Sequence, residues 1–231
     1  MTPAKRQPAK RTPTRKSGAA RMKAVRVRTR LDAAVRSKMI VEAAFATIAE
    51  DGFEGLRTRD IAKLVGINSA TLHHHFPTKE DLIAGVADHL ESRFRAEKTP
   101  TPAGENATDA LDRQLKDAIF YYSARPEMLA VYREFVARAP RDPAIWKLVR
   151  RLHNGWRADI VETLRKGRID GSFRADLDLD SAASIILSTI WGLVAHIFPS
   201  KTDFDAGSRE LEKWLVASLT SKMPRGSSRG N

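Results

Sequence analysis

From residue 40 almost to the end of the chain, apolar residues recur every three or four positions, the period of a helix with one buried face. Ile40, Val41, Ala44, Phe45 and Ile48 form the first stripe, and Glu50-Asp51-Gly52 ends it, with Gly52 the predicted C-cap. A second stripe, Leu82, Val86, Leu90 and Phe94, follows Thr78 and Asp81, which read as a capping box opening a helix over 79–98. Thr99-Pro-Thr-Pro-Ala-Gly104 is a breaker cluster. Beyond it, helices are predicted near 106–124, 127–138, 142–169, 178–198 and 204–221, separated by Arg125-Pro126, the stretch from Pro140 to Pro143, Gly171-Ser172 and Pro199. No alternating strand pattern and no internal repeat is visible, so the predicted fold class is all-α.

Between the two stripes, residues 57–79 predict two short helices joined by a tight turn. Ile61, Leu64 and Val65 share one helical face, and Ala62 is small where two helices approach. Gly66 can end the first helix in the left-handed conformation that glycine adopts cheaply. Asn68 can cap the next helix, in which Leu72 and Phe76, four apart, point inward. Ser69, Ala70, His73 and His74 are then left on the outward face, the layout of a helix-turn-helix whose second helix enters a DNA major groove.

These segments, with Ala43-Ala44-Phe45, Asp51-Gly52-Phe53, Thr58-Arg59-Asp60-Ile61-Ala62, Val65-Gly66-Ile67-Asn68 and Thr71-Leu72-His73-His74-His75-Phe76-Pro77-Thr78-Lys79-Glu80-Asp81-Leu82, make residues 36–90 similar to the tetracycline-repressor-like (TetR) family of bacterial transcription regulators. The resemblance implies that Thr58, Arg59 and Thr71 lie against operator DNA, with Arg59 able to reach a guanine edge or a phosphate. It turns Ser69, Ala70 and His73 toward bases and places His74, His75 and Lys79 along phosphates, with Asn68 opening the recognition helix beside them. His73 departs from the family, which very often has a tyrosine there; an imidazole keeps a flat ring and a hydrogen-bonding edge.

Past residue 90 the resemblance is one of length, helix content and layout. It implies an effector pocket between the later helices. Phe94, Tyr122, Met128, Tyr132, Trp146 and Trp156 are the candidate contacts there, although aromatic and Met residues at helical spacing are core by default. It also implies a homodimer through the last two helices. These carry more apolar surface than one core needs: Ile185, Ile186, Ile190, Leu193 and Val194 on the first, Leu211, Trp214 and Leu215 on the second.

Charge refines this division. The net charge is +12, but eleven Lys and Arg and no acid fall within residues 1–31, leaving 29 bases against 28 acids in the rest. A disordered basic tail is therefore expected over 1–33, a DNA-binding domain over 34–82, an effector-binding and dimerisation domain over 83–222 and a disordered end over 223–231. The chain has no cysteine and no apolar leader, and Pro3, Pro8 and Pro13 interrupt any amphipathic transit helix, so a cytoplasmic protein is expected. The apolar run at 182–198 is shorter than the roughly 20 residues a membrane span needs and includes Ser184, Ser188, Thr189 and His196.

No metal, cofactor or enzymatic activity is expected. His73, His74 and His75 point about 100° apart on a helix and cannot converge on one ion, and no nucleophile elbow, phosphate loop or H-E-x-x-H pair occurs. The partners expected are operator DNA, a small-molecule effector and a second copy of the chain, with no membrane. A nucleoid-type architectural protein using the basic tail is the competing reading.

Overall fold

The computed structural model describes residues 15–195 and 200–220, with side chains from Asp32 onward apart from those at 122, 123, 194 and 195. Among the described residues there are nine α-helices, one 3₁₀ turn and no strand. α1 (Arg15–Gly55) carries the first stripe, and Ile40, Val41, Ala44, Phe45 and Ile48 are all buried. It begins well before the expected boundary at residue 34. Alanine, arginine, lysine and methionine favour helix, and no proline lies between Pro13 and Pro77, so nothing upstream stops it. The outer part of the expected N-terminal tail, residues 1–14, and the whole of the expected C-terminal one, with 221 and 222 before it, lie outside the described residues.

The helical path breaks at Gly52, where φ is 67° and ψ is −172°. That conformation is essentially restricted to glycine. A side chain there would also meet Glu134 of a later helix, whose Oε2 lies 2.9 Å from an ideal Cβ position. The same carboxylate accepts a hydrogen bond from the Phe53 amide at 3.2 Å. The first helix thus ends on a contact supplied from across the molecule.

α2 (Thr58–Val65) and α3 (Ser69–His75) pack on α1, and α4 (Lys79–Ala96) packs along it. The α4 stripe of Leu82, Val86, Leu90 and Phe94 is buried as predicted. α5 (Ala107–Ala124), α6 (Pro126–Arg138), α7 (Pro143–Asp170), α8 (Leu179–Ala195) and α9 (Lys201–Thr220) fall within a few residues of the predicted segments. Pro126 and Pro143 each occupy a helix N-terminus, where a missing N–H costs nothing.

α6 joins the two parts of the chain. Phe135 stacks edge-on against Phe53 at 5.1 Å, and one continuous core runs from Ile40 on α1 to Leu219 on α9. Charges reinforce the α4 seam: Arg93 pairs with Glu127 on α6 at 2.8 Å, and Arg151 on α7 pairs with Glu91 at 3.2 Å and with Asp88. No described helix is long and apolar enough to cross a membrane.

Several expectations about packing need correction. Leu64 is 69% exposed: the buried face of α2 centres between Ile61 and Ala62, and Leu64 lies about 110° round the helix from that centre. On α8 and α9, Ile186, Ile190 and Leu215 are buried within the single chain and are not free to meet a partner. One helical step away, Ile185 is 57% exposed, as is Trp214 on α9. Leu193 and Leu211 are half-buried, and the Val194 side chain lies outside the described residues.

Candidate functional site

The turn between α2 and α3 is built from local chemistry. Gly66 adopts φ 73°, ψ 31°, and its N–H bonds the Lys63 carbonyl at 3.1 Å while Ile67 N–H reaches back to Ala62 at 2.9 Å. These two bonds use up carbonyls left open at the end of α2. The Asn68 side-chain oxygen, Oδ1, then accepts from Thr71 N–H at 2.7 Å and starts α3. Beneath α3, Leu72 is fully buried and fixes which side of the helix faces out. Thr78 and Asp81 form the capping box of α4, with bonds of 3.0 Å in both directions.

That register leaves Ser69, Ala70, His73 and His74 exposed on α3 and Arg59 exposed on α2, with Thr58, Thr71 and Lys79 half-buried along the same edge. His75 and Asn68 also make contacts within the fold. His75 Nδ1 lies 3.1 Å from Ser37 Oγ on α1, pinning the C-terminal end of α3. Burial holds the His75 imidazole below its ordinary range, and the His74 and Arg36 charges add to the effect. Asn68 spends its side-chain oxygen on the cap. Both help to set the position of α3, Asn68 from an exposed site and His75 from a half-buried one.

The second feature is a cavity of about 450 Å³ between α4, α5, α7 and α8. Its aromatic wall is Phe94, Tyr121, Trp156 and Trp191. Tyr121 is fixed by a 2.9 Å bond from its hydroxyl to the Phe94 carbonyl, and both Tyr121 and Trp156 stand edge-on to Phe94. Behind the wall, Tyr132 stacks on Trp191 at 4.1 Å and its hydroxyl meets His153 Nε2. Burial raises both tyrosine hydroxyls and lowers His153, so all three are held neutral. Among the charged residues of its lining, Arg113 pairs with Glu105 at 2.8 Å and Lys98 with Asp159, while Asp117, Glu162 and Lys166 complete the set.

Of the residues expected to contact an effector, the structure brings Phe94 and Trp156 to this wall. Met128 and Tyr132 are buried behind it, and Trp146 is 51% exposed near the start of α7. The Tyr122 side chain lies outside the described residues. Tyr121, Trp191 and Gln114 line the cavity without having been expected there. Tyr121 and Gln114 follow the α5 face of Ala110 and Ala118, small residues whose spacing was the available signal.

Comparison with known proteins agrees with both parts. Residues 40–86 match the family described as bacterial regulatory proteins of the tetR family, and residues 107–220 match the C-terminal domain of BetI-type transcriptional repressors. The HTH-type transcriptional repressor KstR2 of Mycobacterium tuberculosis is 31% identical over 156 residues, covering 66% of this chain and 76% of its own. Among solved structures, a transcriptional regulator from Saccharomonospora viridis in complex with choline superposes with a TM-score of 0.68 at 24% identity, covering 80% of this chain and 98% of its own. The ketosteroid transcriptional regulator KstR2 of M. tuberculosis superposes with a TM-score of 0.56 at 24% identity, over 81% of this chain and 96% of its own. These are regulators and not enzymes. With a helix-turn-helix that carries its own caps, a cavity-bearing helical domain behind it and a repressor relative of this similarity, the chain belongs to the TetR family of transcription regulators.

Proposed function

We propose that the protein is a homodimeric repressor that holds a palindromic operator and releases it when a mostly apolar molecule of drug-like size occupies the cavity between α4, α5, α7 and α8. The observation that carries this reading is the span of α4. Lys79 opens the helix beside the recognition helix, and Phe94, near its other end, stands in the cavity wall. Fifteen residues of helix between them cover about 22 Å, so a tilt imposed at Phe94 displaces the reading head. A tenfold loss of operator affinity needs an effector preference of about 1.4 kcal/mol for the DNA-incompetent state, and operator DNA then weakens effector binding by the same factor.

Ser69, Ala70 and His73 read base edges in this arrangement, while Arg59, Thr58, Thr71, His74 and Lys79 fix the protein on the backbone. The eleven cations before Asp32 add attraction to phosphates that carries no sequence preference. Ile185 and Trp214, exposed on α8 and α9, are the residues offered to a second copy. The protein acts in the bacterial cytoplasm, at the nucleoid when bound. A volume of about 450 Å³ suits a polycyclic molecule, a size class consistent with the ketosteroid named for the mycobacterial neighbour.

Footprinting on fragments selected from genomic DNA tests this function. Protection with two-fold symmetry and half-sites about 34 Å or a multiple of that apart is expected. Uniform coverage without symmetry overturns it in favour of an architectural protein.

A further inference from the structure

α1 joins the body of the molecule beside the recognition helix. Residues 32–36 are all exposed, Ser37 is half-buried and Ile40 is sealed from solvent. Ser37 is also where α1 touches α3, through the 3.1 Å contact of its hydroxyl with His75 Nδ1 at the C-terminal end of that helix. The part of α1 from Arg15 to Ser37 spans about 33 Å, and it projects past the end of the reading head.

The helical period decides which positions of this projection share the face that seats α3. At about 100° per residue, Ala44 and Ile48, both buried, fall within about 20° of Ser37. Toward the N-terminus, Arg30 and Arg26 also fall within about 20° of it, and Lys23, Arg15 and Lys16 within about 60°. Val35 and Met39 fall about 160° away, and both are exposed, as that register requires. Arg21 and Arg28 belong to the far side too, as does Asp32, the one acid before Glu42. Five of the seven cations over residues 15–31 therefore continue a single face. Inside the body that face is apolar and seats α3; beyond the body it is cationic.

Resting on the operator reading above, we infer that the projection of α1 is a second DNA contact, a one-sided helical arm whose Arg30, Arg26, Lys23, Lys16 and Arg15 lie along backbone phosphates flanking the half-site read by α3. Like charges gathered on one side of a helix repel one another, and a line of anions relieves that repulsion. The duplex supplies such a line, with one phosphate about every 3.4 Å of each strand. Because the arm starts at the end of α3 and continues the face turned toward α3, the duplex held by α3 is the anion within its reach.

The test removes equal charge from the two faces of the full chain. Arg26→Gln with Arg30→Gln acts on the near face, and Arg21→Gln with Arg28→Gln on the far face. Matching urea midpoints report that both variants fold as the native chain does. Affinity for an operator fragment selected from genomic DNA is titrated between about 50 and 200 mM salt. Each phosphate neutralised adds about 0.9 to the slope of log affinity against log salt, so the near-face pair, about four contacts in a homodimer, carries about 3.6 of slope. Over that range the near-face variant is expected to lose roughly a hundredfold less affinity than the native chain, while the far-face variant follows the native chain. Hydroxyl-radical footprints are expected to shorten at both ends for the near-face variant alone. Equal changes in the two variants overturn the inference in favour of a loose cationic tail. A slope unchanged in both overturns it by showing that the arm does not touch the duplex. Either result leaves the operator reading standing while the native footprint keeps its two-fold symmetry. A native chain without such a footprint ends the operator reading, and the inference falls with it.

Discussion

In the reading head, Ile40, Ile61, Leu72 and Leu82 are sealed from solvent, and the side-chain oxygens of Asn68 and Thr78 are used in caps. In the domain behind it, α5, α7 and α8 surround a cavity of about 450 Å³. A surface that must present side chains to a rigid duplex benefits from a support that does not yield. A site that must admit a molecule and respond to it needs interior surface left without a protein counterpart. The difference lies in packing: closed against the core in the head, open around a cavity in the second domain.

The sharpest way to break this contrast is to damage the head's packing. Leu72→Ala empties a fully buried position under the recognition helix and is expected to cost about 2–5 kcal/mol of stability, with operator binding lost at temperatures where the native chain is folded. Denaturant unfolding measures the first and gel-shift titration the second. A loss below about 1 kcal/mol would show that the head repacks freely and is no stiffer than the cavity domain.

A smaller effect separates reading from support within the head. His73→Ala is expected to lose about 1–3 kcal/mol on the operator and little on random DNA, whereas Lys79→Ala weakens both alike. Competition titration on the two DNAs decides, and equal losses for His73→Ala would remove it from the base-reading set.

The smallest expected effect concerns protons. His75 in the head, His89 on α4 and His153 behind the cavity are all held below their ordinary value of 6.5, in each case first by burial. The unfolded chain then takes up protons that the folded one refuses. Stability is fully present above that ordinary value and is lost as the pH falls below it toward the folded values. Urea midpoints measured from about pH 7.5 down to about 5.5 should fall, and fall less in a His153→Phe variant. A flat profile would mean that these rings are solvated in the fold.

The same contrast explains what could be read along the chain. Gly66, Asn68, Thr78 and Asp81 act on atoms within five residues of themselves, so spacing alone identified the turn and both caps. The stripes on α1 and α4 were equally plain, because each helix has one wet side. α8 was not, because it is apolar nearly all round. Ile185 and Ile186 differ by one helical step, and only the packing of α7 and α5 decides which of them is core. Trp191 and Met128 have the same apolar character in sequence, yet one lines a cavity and the other is packed in behind it. A space between helices leaves no mark on the period of any one of them.

Gly52 bears on how such regulators can be recombined. Because Glu134 of α6 closes the end of α1 and occupies the room a side chain would need, the DNA-reading segment is not a detachable cartridge. A chimera that grafts this head onto another regulator's sensor must carry a matching carboxylate on α6 and glycine on α1, or the Phe53 N–H freed by the break at Gly52 is left without its acceptor. The seam for domain exchange lies in the pairing of those two residues and not in the linker after α4.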